Sequence, residues 1–114
     1  MAHVSESTDI SGKVTMYLGL VEDVSAQVKK AHQAFKSAKD NLEYAITASG
    51  QKSIDYIKQA KNMFIDAVTV EENENKILAI VGLSMCQYLL GDNFGAQYTM
   101  ERINDIELTR AEKN

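Results

Sequence analysis

The sequence predicts an all-α fold, with a long N-terminal helix followed by three shorter antiparallel helices. They pack as a helical bundle or as a series of helical hairpins. The 114 residues include no proline, which is the commonest helix breaker. Apolar residues recur at helical spacing along most of the chain. Gly91 and Asp92 stand between two such stretches and suit the end of one helix and the N-cap of the next. Helices joined by tight turns are therefore expected.

The length and composition indicate one globular domain. The chain has 45% hydrophobic and 25% charged residues and is below the size at which chains split into domains. We expect a single helical domain over residues 11–110, with flexible tails at residues 1–10 and 111–114.

The long first helix is predicted from a heptad repeat. The apolar a-type positions are Val14, Val21, Val28, Phe35 and Leu42, and the d-type positions are Tyr17, Val24, Ala31, Ala38 and Ala45. A stripe held for about five heptads predicts a helix from about Ser11 to Ser49 with a coiled-coil-like seam. Gly19, or the step formed by Lys39, Asp40 and Asn41, could break or bend this helix. Gly50 is expected to end it in a left-handed conformation.

Three further helices complete the prediction. The second runs from about Ser53 to Val68. Thr69 and Glu72 have the spacing of a capping box, which would start the third near Val70. That helix is apolar nearly all round after residue 77, so we expect it to be central. The fourth helix follows Asp92, and its predicted inward residues are Phe94, Ala96, Met100, Ile103 and Ile106. Met16, Met63, Met85 and Met100 are expected to fill gaps in the core.

The charge argues against a nucleic-acid partner. The net charge is −4 and the pI is about 5.1. Lysines outnumber acids between Lys29 and Lys61, whereas acids dominate from Asp66 to Glu112. Two solvated faces that attract each other explain this best, and a basic patch for an anionic partner is the weaker alternative. No apolar run approaches the roughly 18 residues of a membrane span. With no secretory signal and a single cysteine, a cytoplasmic protein without a membrane partner is expected.

The sequence offers no recognisable catalytic or metal site. His3 and His32 lack metal-ligand spacing, and Cys86 lies in the most apolar helix, where an inert buried thiol is expected. Glu71, Glu72 and Glu74 suit a negatively charged helix start better than a catalytic cluster. We therefore expect a protein that is not an enzyme and uses no cofactor and no metal.

The second half of the chain resembles a tetratricopeptide repeat. The matching positions are Ile80, Leu83, Tyr88, Gly91, Asp92, Ala96, Met100 and Ile103. Ser84 departs from the family pattern, which has glycine there. Ala60, Phe64 and Ala67 resemble the small-aromatic-small triplet of a preceding repeat, and Ala60 and Ala96 are 36 residues apart, against a usual period of about 34.

The resemblance implies a concave groove that takes a peptide or helix of another protein. The matching groove positions are Leu78, Val81, Met85 and Tyr88. Because they are apolar, the simplest expectation is that the N-terminal helix of the same chain lies in the groove. The alternative is that a partner, or a second copy of the chain, covers it.

Two functions are predicted. The first is a non-enzymatic protein–protein interaction module: an adaptor, a chaperone-like protein or a regulator. The second is a structural helical bundle that self-associates, most simply as a homodimer, through the heptad seam. The residues expected to form that seam are Val14, Tyr17, Val21, Val24, Val28 and Phe35.

Overall fold

The described part of the chain consists of five α-helices. The structure is a computed structural model. It describes the backbone of residues 2–23 and 31–113, and the side chains of residues 10–23, 31–72 and 74–104. The helices are α1 Ala2–Asp23, α2 Gln33–Thr47, α3 Gln51–Val70, α4 Asn73–Leu89 and α5 Asn93–Lys113. The predicted all-α class is confirmed.

The helices from α2 to α5 pack as consecutive neighbours, and α1 lies against α2 and α4. Phe64 of α3 is fully buried at the centre. The rings of Tyr17 and Phe35 meet it edge-on, with centroids 5.7 and 6.0 Å from that of Phe64. Edge-to-face pairs of this kind add to the free energy gained by burying the rings. The core therefore joins α1, α2 and α3 around one aromatic side chain.

The prediction of one continuous helix from Ser11 to Ser49 is wrong. Helix α1 ends at Asp23, and Ala31 and His32 are not helical. His32 has extended backbone angles, and its N–H donates to Oε2 of Glu71 at 2.5 Å. This carboxylate lies at the junction of α3 and α4, so the start of α2 is hydrogen-bonded to a distant part of the chain. The described part of α1 packs against α4 and does not continue into α2.

The face predicted by the heptad is nevertheless the buried one. In both α1 and α2 the described a- and d-type residues are buried: Val14, Tyr17, Val21, Ala31, Phe35, Ala38, Leu42 and Ala45. Val24 and Val28 lie outside the described residues. The repeat therefore indicated the correct inward face of two helices that pack within the same chain.

The capping box predicted at Thr69 is also wrong. The hydroxyl of Thr69 donates to the carbonyl of Ile65, and α3 continues to Val70. Glu72 occupies the N-cap position of α4 and makes no capping hydrogen bond with its side chain. Gly50 has φ 60° as expected for a glycine, but its ψ of −135° is not that of a left-handed helix.

The turn predicted at Gly91 and Asp92 is confirmed. Gly91 has φ 89°, and Oδ1 of Asp92 accepts from the N–H of Gly95 at 2.9 Å. The hydroxyl of Ser84 on α4 donates to the carbonyl of Ala96 on α5 at 2.7 Å. These bonds hold α4 and α5 as an antiparallel hairpin. The division into a domain at residues 11–110 and tails at 1–10 and 111–114 stays a prediction.

Candidate functional site: an apolar groove between α1, α4 and α5

An open apolar groove runs between α1 and α5, with α4 as its floor. Its volume is about 760 Å³. The lining residues are Lys13, Met16, Tyr17 and Leu20 from α1, Val81, Ser84, Met85 and Tyr88 from α4, and Asn93, Ala96, Gln97 and Met100 from α5. On each helix they recur every three or four residues, so the groove follows the helix axes for about two turns, or roughly 10 Å.

Among the described residues, one charged side chain lines the groove. The Nζ atom of Lys13 lies 5.2 Å from the ring centroid of Tyr88, within the range of a cation–π contact. This pair marks the end of the groove nearest the turn between α4 and α5. The other polar groups that the described residues bring to the lining are hydroxyls and amides. The groove can therefore bind an apolar surface.

Large apolar side chains remain exposed along the groove. The exposed fraction of Met16 is 77%, and Leu20, Tyr88 and Met100 are each more than 40% exposed. Met16 and Leu20 are four residues apart, outside the a- and d-type positions of the heptad. This spacing is the signal in the sequence that α1 has a second apolar face.

Two of the predicted core assignments on α5 are wrong. Phe94 is 90% exposed and Met100 is also exposed, whereas Ala96 is buried and Ile103 half-buried as predicted. Ile106 lies outside the residues whose side chains are described. The physical reason is that α5 packs mainly against α4, so only a narrow stripe of it is covered. Met16, also predicted as a core residue, is exposed for the same reason on α1.

The four predicted partner-binding residues do not all lie on the same surface. Val81, Met85 and Tyr88 line the groove. Leu78 is buried, and its carbonyl accepts from the hydroxyl of Tyr17 at 2.6 Å. Helix α1 thus covers the Leu78 end of the predicted surface and leaves Tyr88 about half exposed. The expectation that the N-terminal helix fills the groove holds for only part of it.

The described residues of the predicted self-association seam do not form a free surface. Val14, Tyr17, Val21 and Phe35 are at most 4% exposed because they pack in the core of their own chain. These four side chains cannot bind a second copy while the fold is intact. Val24 and Val28 lie outside the described residues, and self-association stays a prediction.

The thiol of Cys86 on α4 is buried. Burial raises the pKa of the Cys86 thiol to about 12, and nearby Lys61 offsets part of this rise. A thiol with this pKa is almost wholly protonated at neutral pH and is a poor nucleophile. Burial also raises the pKa of Tyr17 well above its ordinary value, and Cys86 adds to the rise.

Glu71 is the one carboxylate of the predicted acidic cluster that is buried. It binds the N–H of His32, and its Oε2 lies 3.3 Å from Nδ1 of the same residue. Glu72 is exposed and Glu74 half-buried. Among the described residues no three His, Cys, Asp or Glu side chains form a group that could hold a metal ion. The described contacts of Glu71 hold helix ends together.

Neither a family model nor a curated protein nor a solved structure matched the chain. The resemblance to a tetratricopeptide repeat therefore stays a prediction. In the part of the chain that the structure describes, no helix combines the length and apolar character needed to cross a membrane.

Proposed function

We propose that this protein is a non-enzymatic protein–protein interaction module of the cytoplasm, and that the groove between α1, α4 and α5 binds its partner. The observation that carries the proposal is the row of exposed apolar side chains along a preformed groove. Single exposed apolar residues are ordinary on protein surfaces, but a contiguous set marks an interaction site. Aromatic and methionine side chains are also enriched at protein interfaces.

The groove's composition favours binding over catalysis. The described residues of its lining offer one lysine and a few neutral polar groups. General acid–base or nucleophilic catalysis requires an activated side chain within hydrogen-bonding reach of the substrate. An adaptor, a chaperone-like protein or a regulator can bind its partner through an exposed apolar groove of this kind.

The test is photo-crosslinking from inside the groove. A benzoylphenylalanine in place of Tyr88 is expected to form a covalent adduct with a partner in the cells that produce the protein. The matched control carries the same group in place of Tyr44, which is exposed to a similar extent on α2 and does not line the groove. Mass spectrometry identifies the adduct. Equal labelling from both positions, or labelling from neither, would contradict the proposal.

A further inference from the structure

The methionines of the chain are concentrated in the groove. Of the four whose side chains the structure describes, Met16, Met85 and Met100 line it. They come from α1, α4 and α5, so each helix that borders the groove contributes one of them. The fourth, Met63 of α3, packs against the hydrophobic core and does not line the groove. The groove is therefore the part of the described surface whose character depends most on the chemical state of methionine.

Two of these thioethers are open to solvent. The exposed fraction is 77% for Met16 and 43% for Met100, whereas Met63 and Met85 are half-buried. An oxidant dissolved in water must touch the sulfur atom to react with it, so exposed methionines are oxidised before covered ones. We therefore expect Met16 and Met100 to react before Met63.

The reaction is the oxidation of a thioether by hydrogen peroxide. The sulfur attacks one peroxide oxygen, the O–O bond breaks, and the second oxygen leaves as water. Sulfur loses two electrons to the peroxide, and the product is methionine sulfoxide. Methionine sulfoxide reductases reverse the change: two thiols are oxidised to a disulfide, and the sulfoxide oxygen leaves as water. The modification is thus reversible wherever these enzymes are present.

Oxidation would change what the groove can bind. A sulfoxide oxygen accepts hydrogen bonds from water, and an apolar partner surface that covers it removes those bonds without replacing them. The described lining is mainly apolar in its reduced form. In the free protein the sulfoxides of Met16 and Met100 would stay hydrated, because both side chains are exposed. Oxidation is therefore expected to weaken binding and to leave the fold intact.

Resting on the proposed function, we propose that Met16 and Met100 form a reversible oxidation site that regulates partner binding in the groove. The reduced thioethers leave the walls of α1 and α5 apolar and able to bind. Their sulfoxides make both walls polar and release the partner. Met63 takes no part, because it lies outside the groove.

The first test locates the oxidation. The full-length protein is treated with hydrogen peroxide, and peptide mass spectrometry follows sulfoxide formation at each methionine. Met16 and Met100 are expected to react roughly fivefold faster than Met63 or more, with an unchanged helical circular dichroism signal. Equal rates at Met63 and at the two exposed positions would overturn the inference and leave the proposed function standing. Loss of the helical signal as Met16 and Met100 react would do the same.

The second test measures binding through the photo-crosslink from benzoylphenylalanine in place of Tyr88. The purified protein is oxidised, freed of peroxide and added to a lysate of the cells that produce it. The yield of adduct is expected to fall roughly fivefold or more, and methionine sulfoxide reductases should restore it.

Matched variants assign the effect to the two exposed methionines. Leucine keeps a similar apolar volume but cannot form a sulfoxide. In the double variant Met16→Leu and Met100→Leu, the adduct yield is expected to be insensitive to peroxide. In Met63→Leu it should fall on oxidation as it does in the parent chain.

The outcomes separate regulation from binding. Equal adduct yields from the reduced and oxidised protein would overturn the regulation and leave the interaction module standing. A loss that persists in the double variant would also overturn it, because another residue is then responsible. No adduct from the reduced protein would contradict the proposed function and, with it, the inference.

Discussion

Gly82 lies on α4 where that helix approaches two rings of the core. A Cβ atom built on Gly82 would be 2.5 Å from Cζ of Phe64 and 2.8 Å from the hydroxyl oxygen of Tyr17. Both rings are buried, and Tyr17 is also held by its hydrogen bond to the carbonyl of Leu78. Glycine is therefore required here to let α1 and α3 come close to α4.

Gly82→Ala is expected to destabilise the protein. Overpacking a core typically costs 1–3 kcal/mol, which outweighs the gain of roughly 1 kcal/mol in helix propensity from glycine to alanine. The measurement is the urea midpoint of unfolding, compared with Gly19→Ala. Gly19 is in the interior of α1 with no atom within 4 Å of a built Cβ, so that variant should gain up to about 1 kcal/mol. Stabilisation by both substitutions would contradict the close packing.

The raised pKa of Cys86 predicts that the free energy of unfolding depends on pH. The thiol ionises near pH 9 in the unfolded chain, whereas burial raises its pKa to about 12 in the folded protein. Between these values the unfolded state releases a proton that the folded state retains, so the free energy of unfolding falls as pH rises. For this group the slope is roughly 1 kcal/mol per pH unit, and the contribution is absent at pH 7.

The measurement is urea unfolding of the parent chain and of Cys86→Ala from pH 7 to 10. Alanine lowers stability at every pH because it leaves a cavity, and this offset is read at pH 7. The difference between the two proteins is then expected to shrink above pH 9, because only the parent carries the thiol. Parallel curves throughout the range would show that the thiol ionises in the folded state as in the unfolded one.

At the scale of the helices, the carboxylate of Glu71 connects the end of α3 to the starts of α2 and α4. Glu71 ends α3, is 2% exposed, and accepts the N–H of His32 at the start of α2. It also lies 3.5 Å from Nδ2 of Asn75 in the first part of α4. One side chain thus links the starts of two helices that are about 40 residues apart in sequence.

Glu71→Ala is expected to cost about 2 kcal/mol, because it removes a charge-assisted hydrogen bond and leaves a backbone N–H without its acceptor. The matched control is Glu72→Ala, in which the neighbouring glutamate is exposed and makes no capping bond. That variant should change the free energy of unfolding by less than about 0.5 kcal/mol. Denaturant unfolding of the two variants checks this, and equal losses would argue against a role for burial of Glu71.

The same junction shows why the sequence predicted some helix ends and missed others. The cap of Asp92 on Gly95 joins residues three apart, so the local sequence contains all the information needed. The start of α2 depends on Glu71, which is 39 residues from His32. The heptad repeat continues across the interruption between α1 and α2. It indicates which face of the chain is buried, but not whether the helix is continuous.

The groove could be predicted only in part for a related reason. Val81, Met85 and Tyr88 are predicted groove residues because they match groove positions of the repeat that the second half of the chain resembles. Met16, Phe94 and Met100 are exposed because few other helices pack against α1 and α5. Helical spacing identifies the apolar face of a helix, but it does not show how many other helices cover that face. An apolar residue on a helix face predicts contact, but not whether the contact is made within the chain or with another molecule.

At the scale of the whole molecule, the fold separates residues that hold it together from residues available for binding. The core of α1 faces α2, α3 and α4, whereas Met16 and Leu20 of the same helix face the groove. The radius of gyration is 14.1 Å, close to the roughly 13 Å expected of a compact chain of this length. The described residues therefore form a hydrophobic core within one copy of the chain.

This separation predicts opposite results for two neighbouring substitutions on α1. Val14→Asp places a carboxylate at a fully buried site, at a cost of several kcal/mol, which is comparable to the total stability of a small domain. Met16→Asp changes a side chain that is 77% exposed and should leave the fold intact. Circular dichroism and sedimentation at the same concentration are expected to show an unfolded Val14→Asp and a folded Met16→Asp. If Val14 instead belonged to a seam between two chains, Val14→Asp would be a folded monomer derived from a parent dimer. Since Val14 contacts the core of its own chain, we expect loss of helical structure rather than dissociation.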